Sequence, residues 1–246
     1  MKNLLIYVNP SRRFRGENDI LIKIQIDNSL RLGWKKEDIL LITNFEYEYS
    51  GVKAQTVDDK NFCNFDNRVS KISVILEAID KGIIEDNQLY WFHDLDAFQL
   101  VWFPEEEIEM FGADLALTDR GWSNKWSTGS LFFTKKARDL FEKIRDKAYE
   151  HKINEEPALQ ILTDGDEIPK ERYKKVNIRY NLSFIRLEKC YQRAIKPLRV
   201  VHFHPIEVTH HVHINRLDIF MYGKNPMGVV LLSDGLIELF NKYGIK

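Results

Sequence analysis

Residues 89 to 98 read LYWFHDLDAF, an apolar run that ends in Asp94-Leu95-Asp96. Residues two apart on a strand point to one face, so the spacing predicts two carboxylates converging at the strand's polar end. Convergent carboxylates make a hard-cation site. Mg²⁺ or Mn²⁺ bound there keeps positions open for phosphate oxygens, which lets a protein hold a nucleoside diphosphate and stabilise it as a leaving group. A three-residue pattern equally describes a solvated acidic pair, and its weight comes from the buried strand leading into it.

Other residues with chemical capacity surround this pair in the sequence. Five of the seven histidines, His202, His204, His210, His211 and His213, are crowded near the C-terminal strands, as a metal cluster or as a solvated segment. Glu155 and Glu156 open a helix, where acids serve either as proton acceptors or as partners of the helix dipole. Asp119 ends a strand nearby. Arg12, Arg13 and Arg15 follow the first strand, and Arg68 and Lys71 open the helix before the D-x-D strand; guanidinium groups in such places pair with phosphate or remain solvated. Asn9, at the end of the first strand, can meet a nucleobase edge. Four of the five tryptophans bracket the D-x-D strand. Trp91 reads as core, whereas Trp122 and Trp126, in the polar loop DRGWSNKWST, are candidates to stack on an acceptor sugar.

The elements that must hold these residues follow from hydrophobic periodicity. LLIYV (4 to 8) and DILLITNF (38 to 45) are continuous apolar runs, as expected of buried parallel strands. Between them, Ile20, Leu21, Ile24 and Leu30 fall near helical spacing, and Gly33 supplies a stop. Residues 46 to 66 are polar and aperiodic and predict a long loop. Asn67 is the expected cap of a helix whose stripe is Val69, Ile72, Ile75, Leu76 and Ile79. Strand, helix, strand, loop, helix, strand is the order of parallel α/β crossovers, whose ligands lie outside the carboxyl ends of the strands. Strands are then expected at ADLALTD, STGSLFFT, VNIRYNLSF and LRVVHFH, with helices from Lys135 to about Tyr149 and from residue 154, where Pro157 is tolerated in the first turn.

Composition bounds the reading. At 246 residues with 44% apolar content the chain can bury a sizeable core, and a net charge of -1 gives no global field to recruit nucleic acid. Cys63 and Cys190 have no metal or redox spacing, which predicts a reducing compartment. The opening apolar stretch is too short for a secretory signal and no run is long enough for an integral membrane segment, so a soluble, cytoplasmic protein is expected.

This order of elements with D-x-D in the middle resembles the GT-A fold of nucleotide-sugar-dependent glycosyltransferases, over roughly residues 1 to 205. Phe92 to Asp96 matches the family's apolar strand and D-x-D; Ser127-Thr128-Gly129-Ser130 resembles its N-[ST]-G strand; Glu155 to Gln160 resembles D-[EQ]-x-A-L-N; and His202-Phe203-His204-Pro205 resembles the segment with a late metal-binding histidine. The resemblance implies one α/β GT-A domain, a mixed sheet flanked by helices: a nucleotide-binding half (1 to 98), an acceptor half with the late metal-ligand strand (99 to 205), and a C-terminal extension (206 to 246). It further implies metal ligation by Asp94, Asp96 and one of His202 and His204, with Mn²⁺ (or Mg²⁺) as cofactor. Asn9, Arg68 and Lys71 join the two aspartates as donor-binding residues; Glu155, Glu156 and Asp119 are the catalytic candidates, and Trp122 and Trp126 the acceptor-binding ones. The expected partners are a nucleotide sugar, a UDP-sugar first, and a hydroxyl of a glycan or other acceptor. Two rival readings remain: a haloacid-dehalogenase-like phosphatase with Asp94 as nucleophile and Asp96 as acid/base, and a non-catalytic carbohydrate- or nucleotide-binding module.

Overall fold

The first two apolar runs lack polar alternation because both faces of their sheet are covered. In the computed structural model, which describes residues 1–121, 123, 125–203 and 220–245, they form β1 (Lys2–Tyr7) and β2 (Ile39–Thr43). Leu5 and Leu41 face one core, shared with helix α1 (Asn18–Arg31), and Leu4 and Ile42 face the other, shared with helix α2 (Ser70–Asp80). Gly33, at φ +99°, ends α1 in a conformation that residues with a Cβ rarely adopt. All five residues of the predicted α2 stripe are buried.

The predicted loop at 46–66 holds a small hairpin, β3 (Glu48–Tyr49) with β4 (Val52–Lys53), and an edge strand β5 (Gln55–Thr56). Two-residue strands carry no readable periodicity. The cap of the next helical segment is Asp66, whose side chain accepts from the Arg68 amide; Asn67 is already inside a leading 3₁₀ turn. The D-x-D run is likewise two strands, β6 (Tyr90–His93) and β7 (Ala97–Gln99). Then come β8 (Leu115–Asp119), β9 (Trp126–Phe133), α3 (Arg138–His151), α4 (Glu155–Asp164) and β10 (Tyr173–Val176). VNIRYNLSF is not one strand: a 3₁₀ turn at Ile178–Tyr180 separates β10 from β11 (Leu182–Ser183). Helix α5 (Leu187–Arg193), β12 (Val200–His202) and a last described helix, Asp234–Lys242, complete the order.

Seven strands form one sheet in the order β10-β8-β9-β6-β1-β2-β5. Only β9 runs antiparallel to its neighbours. A second sheet, β11-β12-β7, begins where β6 ends, so the chain changes sheets at the D-x-D residues. Phe98 of β7 packs against Phe203 and against Phe240 of the last helix, which closes this smaller sheet from behind. No helix among the described residues is long and apolar enough to cross a membrane.

Candidate active site

Asp94 and Asp96 converge because of a turn, not because of strand alternation. The amide of Ala97 donates to the Asp94 carbonyl at 2.9 Å, and the chain passes from β6 into β7 around it. The Asp94 amide donates to the Gly129 carbonyl on β9, also at 2.9 Å. Pairing of β7 with β12 sets Ala97 opposite His202, and the Phe203 amide donates to the Asp96 carbonyl. Three distant segments thereby meet. Ligand atoms of Asp94, Asp96 and His202 lie within 4.8 Å of one another, with His202 Nε2 at 3.1 Å from Asp96 Oδ1 and 3.9 Å from Asp94 Oδ2.

The proton on His202 is assignable from its partners. Thr118 Oγ1 lies 3.0 Å from the carbonyls of Ser127 and Ser130, so its single proton is donated there and it accepts from Asn181 Nδ2 at 3.2 Å. Asn181 Nδ2 also donates to Ser127 Oγ at 2.8 Å. Asn181 Oδ1 therefore faces His202 Nδ1 at 3.0 Å and accepts its N–H. Nε2 is left toward the carboxylates, the orientation a metal-ligating imidazole requires. Burial works against a charged imidazole, but Asp96 and Asp94 outweigh it and raise the His202 pKa. Asp94 is raised chiefly by burial, against the pull of Lys71 and His202. His93 is adjacent in sequence but is not one of the three ligand groups: it stacks on Trp91, sets Nδ1 3.2 Å from the Asp94 carbonyl and Nε2 2.9 Å from Asn3 Oδ1, and is pushed down to about 4 by burial.

Facing this triad is a buried cation. Lys71 of α2 places Nζ 3.2 Å from Asp94 Oδ1 and 2.8 Å from Glu155 Oε1. Burial alone would discharge it; the two carboxylates hold it charged, with a raised pKa. Glu155, 2% exposed, also accepts from Thr128 Oγ1 at 2.8 Å, while its Oε2 is buried with no hydrogen-bond partner among the described residues. Burial raises the Glu155 carboxyl and Lys71 more than offsets this, leaving it below the usual range. Asn154 caps α4 by accepting from the Glu156 amide at 3.1 Å. Glu156 accepts from the Thr128 amide at 3.0 Å and pairs with Arg120 at 3.3 Å.

These groups line one cavity of about 740 Å³ that runs from Tyr7 and Asn9 at the end of β1, past the triad, to Asp119, Arg120 and Glu156. Arg68 lies on its wall in an ion pair with Asp66 at 2.6 Å. Asn9 is there too, its Oδ1 accepting from the Ser11 amide at 2.9 Å. Asp119 accepts from the Gly121 amide and pairs with Arg193 at 3.1 Å. Arg15 of the basic loop also reaches the wall. Trp126 is not brought to the cavity: its Nε1–H donates to Thr163 Oγ1 at 3.2 Å and its ring packs on Tyr173. Trp122, His204, His210, His211 and His213 lie outside the described residues.

Sequence reasoning missed Asn181, which sat inside an expected strand, and the steric role of Gly129. A Cβ at Gly129 would lie 2.5 Å from His202 Cε1 and 2.7 Å from Nδ1, closer than side chains tolerate. Gly129→Ala is therefore expected to displace the imidazole and to cost about 1–3 kcal/mol by overpacking. A urea titration of the variant checks this, and an unchanged midpoint would contradict it.

No protein-family model matches the sequence, and no curated protein sequence matches it either. Solved structures do match. The galactosyltransferase LgtC, in complex with donor and acceptor sugar analogs, superposes with a TM-score of 0.60 at 12% identity over 99% of this chain and 95% of LgtC. The glycosyltransferase GlyE of Streptococcus pneumoniae gives 0.57 at 11% identity, over 97% of this chain and 60% of its own. A glycosyltransferase involved in glycosylation of the major capsid of PBCV-1 gives 0.54 at 12% identity, over 82% and 93% of the two chains. What the chain shares with these glycosyltransferases is the GT-A fold, a mixed sheet flanked by helices.

Proposed function

We propose that the protein is a metal-dependent glycosyltransferase that moves a sugar from a nucleoside-diphosphate donor, a UDP-sugar first, to a hydroxyl of a glycan or other acceptor. The observation that carries this reading is the Asp94, Asp96 and His202 set on the wall of the 740 Å³ cavity of a GT-A fold. Two carboxylate oxygens and one imidazole nitrogen suit Mn²⁺, with Mg²⁺ as the alternative. When bound, the cation supplies Lewis-acid stabilisation of the diphosphate.

The chain's own residues do the rest. Lys71 and Arg68 bring positive charge to the cavity beside Asp94, where diphosphate charge grows as the bond from sugar C1 to the diphosphate oxygen breaks. Asn9 offers hydrogen bonds at the β1 end, the side assigned to the nucleobase. Glu155 is committed to Lys71 and Thr128 and acts as the counter-charge that holds Lys71 in place. Glu156, partly exposed, is the better base: it takes the acceptor hydroxyl's proton as the acceptor oxygen bonds C1, and the nucleoside diphosphate leaves with the electron pair. Asp119 stands on the same acceptor side.

A donor screen tests the function: with Mn²⁺ present, hydrolysis or thermal stabilisation should appear with UDP-, GDP- or dTDP-sugars. Phosphate release from simple monoesters with no nucleotide-sugar response would favour the phosphatase reading. Glu156→Gln is expected to lower turnover by about 10²–10⁴-fold with donor affinity kept, and the product should have inverted configuration. Near-wild-type transfer by this variant and by Glu155→Gln, with configuration retained, would remove the base and leave acceptor positioning as the role of the segment.

A further inference from the structure

The D-x-D turn is gripped from behind by an amide. Gln25 of α1 is 1% exposed, and its Nε2 donates to the carbonyls of Leu95 at 2.8 Å and Ala97 at 2.9 Å. Those carbonyls flank Asp96 on both sides, and the carbonyl of Asp96 itself is taken by the Phe203 amide. Three consecutive peptide groups are thus fixed. A glutamine amide has two hydrogens, and both are spent on the turn. One turn further along the helix, Asn28, also 1% exposed, donates from Nδ2 to the Gln99 carbonyl at 2.7 Å, at the far end of β7. The two amides are alike in chemistry, burial and helix, and differ in what they hold. Gln25 holds the backbone that aims Asp96, and Asn28 holds the strand beyond it.

We propose that Gln25 is a positioning residue for the metal site: it fixes the peptide planes on either side of Asp96 so that the carboxylate meets His202 Nε2 at the observed separation. This rests on the metal-binding reading above. Buried carbonyls deprived of their donor turn toward other donors or water, and a turn that reorients carries Asp96 with it. Supporting groups behind metal ligands typically change affinity by about 10–100-fold when removed.

The test compares Gln25→Leu with Asn28→Leu by isothermal titration with Mn²⁺ alone, alongside urea denaturation of each. Both variants should lower the urea midpoint, since each leaves a buried carbonyl without its donor. Only Gln25→Leu should weaken Mn²⁺ binding, by about 10–100-fold, with Asn28→Leu staying within about twofold of wild type. Should Gln25→Leu fail to fold, Gln25→Met, closer in length, takes its place in the comparison. Wild-type Mn²⁺ affinity in the Gln25 variant, or equal losses in both variants, overturns the proposal while leaving the metal site standing. Failure of the wild-type protein to bind Mn²⁺ overturns the metal-binding reading and this proposal together.

Discussion

Asp96→Ala should abolish measurable sugar transfer and strip Mn²⁺ binding while the protein stays folded. Its carboxylate is a member of the three-residue set and the partner of His202 Nε2 at 3.1 Å, so its loss leaves Asp94 and an imidazole without its nearest acid. Removing one preorganised group facing developing charge typically costs about 10²–10³-fold in turnover, and a direct ligand should exceed that. The fold should survive because the turn is held by backbone and Gln25 contacts that the substitution leaves in place. Transfer assays, Mn²⁺ titration and a thermal melt read the three quantities separately. Wild-type transfer by this variant would show the metal site to be wrongly assigned.

The largest effect on stability is expected at Lys71→Met. Lys71 is the buried cation between Asp94 and Glu155, and removing one member of a buried pair costs about 3–5 kcal/mol because a charge is left uncompensated. The pH dependence has a definite sign. In the wild-type protein the Glu155 carboxyl is held below its usual value, so its contribution is complete above the unfolded pKa and disappears as pH falls through the folded one. Without Lys71, burial acts on Glu155 against only the Thr128 hydroxyl and the backbone amide at the start of α4, and the carboxyl is expected to rise above the unfolded value. The variant then suffers most at neutral pH and recovers relative to wild type as pH falls and Glu155 takes up a proton. Urea denaturation at pH 5 and pH 7.5 should show the gap narrowing at the lower pH, and adding Glu155→Gln to Lys71→Met should recover part of the loss at neutral pH. A gap independent of pH would mean that Glu155 is not the uncompensated charge.

Much of this arrangement was legible in the sequence, for physical reasons that also set its limits. β1, β2 and α2 were readable because each is long enough to show its burial pattern, continuous for strands covered on both sides and striped for a helix. The D-x-D residues were readable as a pair, although the turn that joins them was not: LYWFHDLDAF is apolar enough to pass for one strand, and nothing in it marks the change of sheet. Asp66 rather than Asn67 caps the α2 segment because both residue types cap well and tertiary position decided between them. Asn181 and Gln25 were illegible. Each is a lone amide whose meaning depends on what lies opposite in space, and neither stands at an informative spacing. Trp126 shows the converse limit: the polar loop around it was legible, and the Tyr173 ring it packs on, 47 positions away, was not.

Asp96 and His202 are 106 positions apart and meet through three residue pairs between β7 and β12. Side chains alternate along a strand, so slipping this pairing by one residue would turn His202 to the opposite face and present an apolar valine or phenylalanine to the carboxylates. A chain still missing β12 would possess the acidic pair without the His202 imidazole beside it. On the metal-binding reading, competence to hold a cation is a certificate of correct register between β7 and β12 instead of a property of the motif alone.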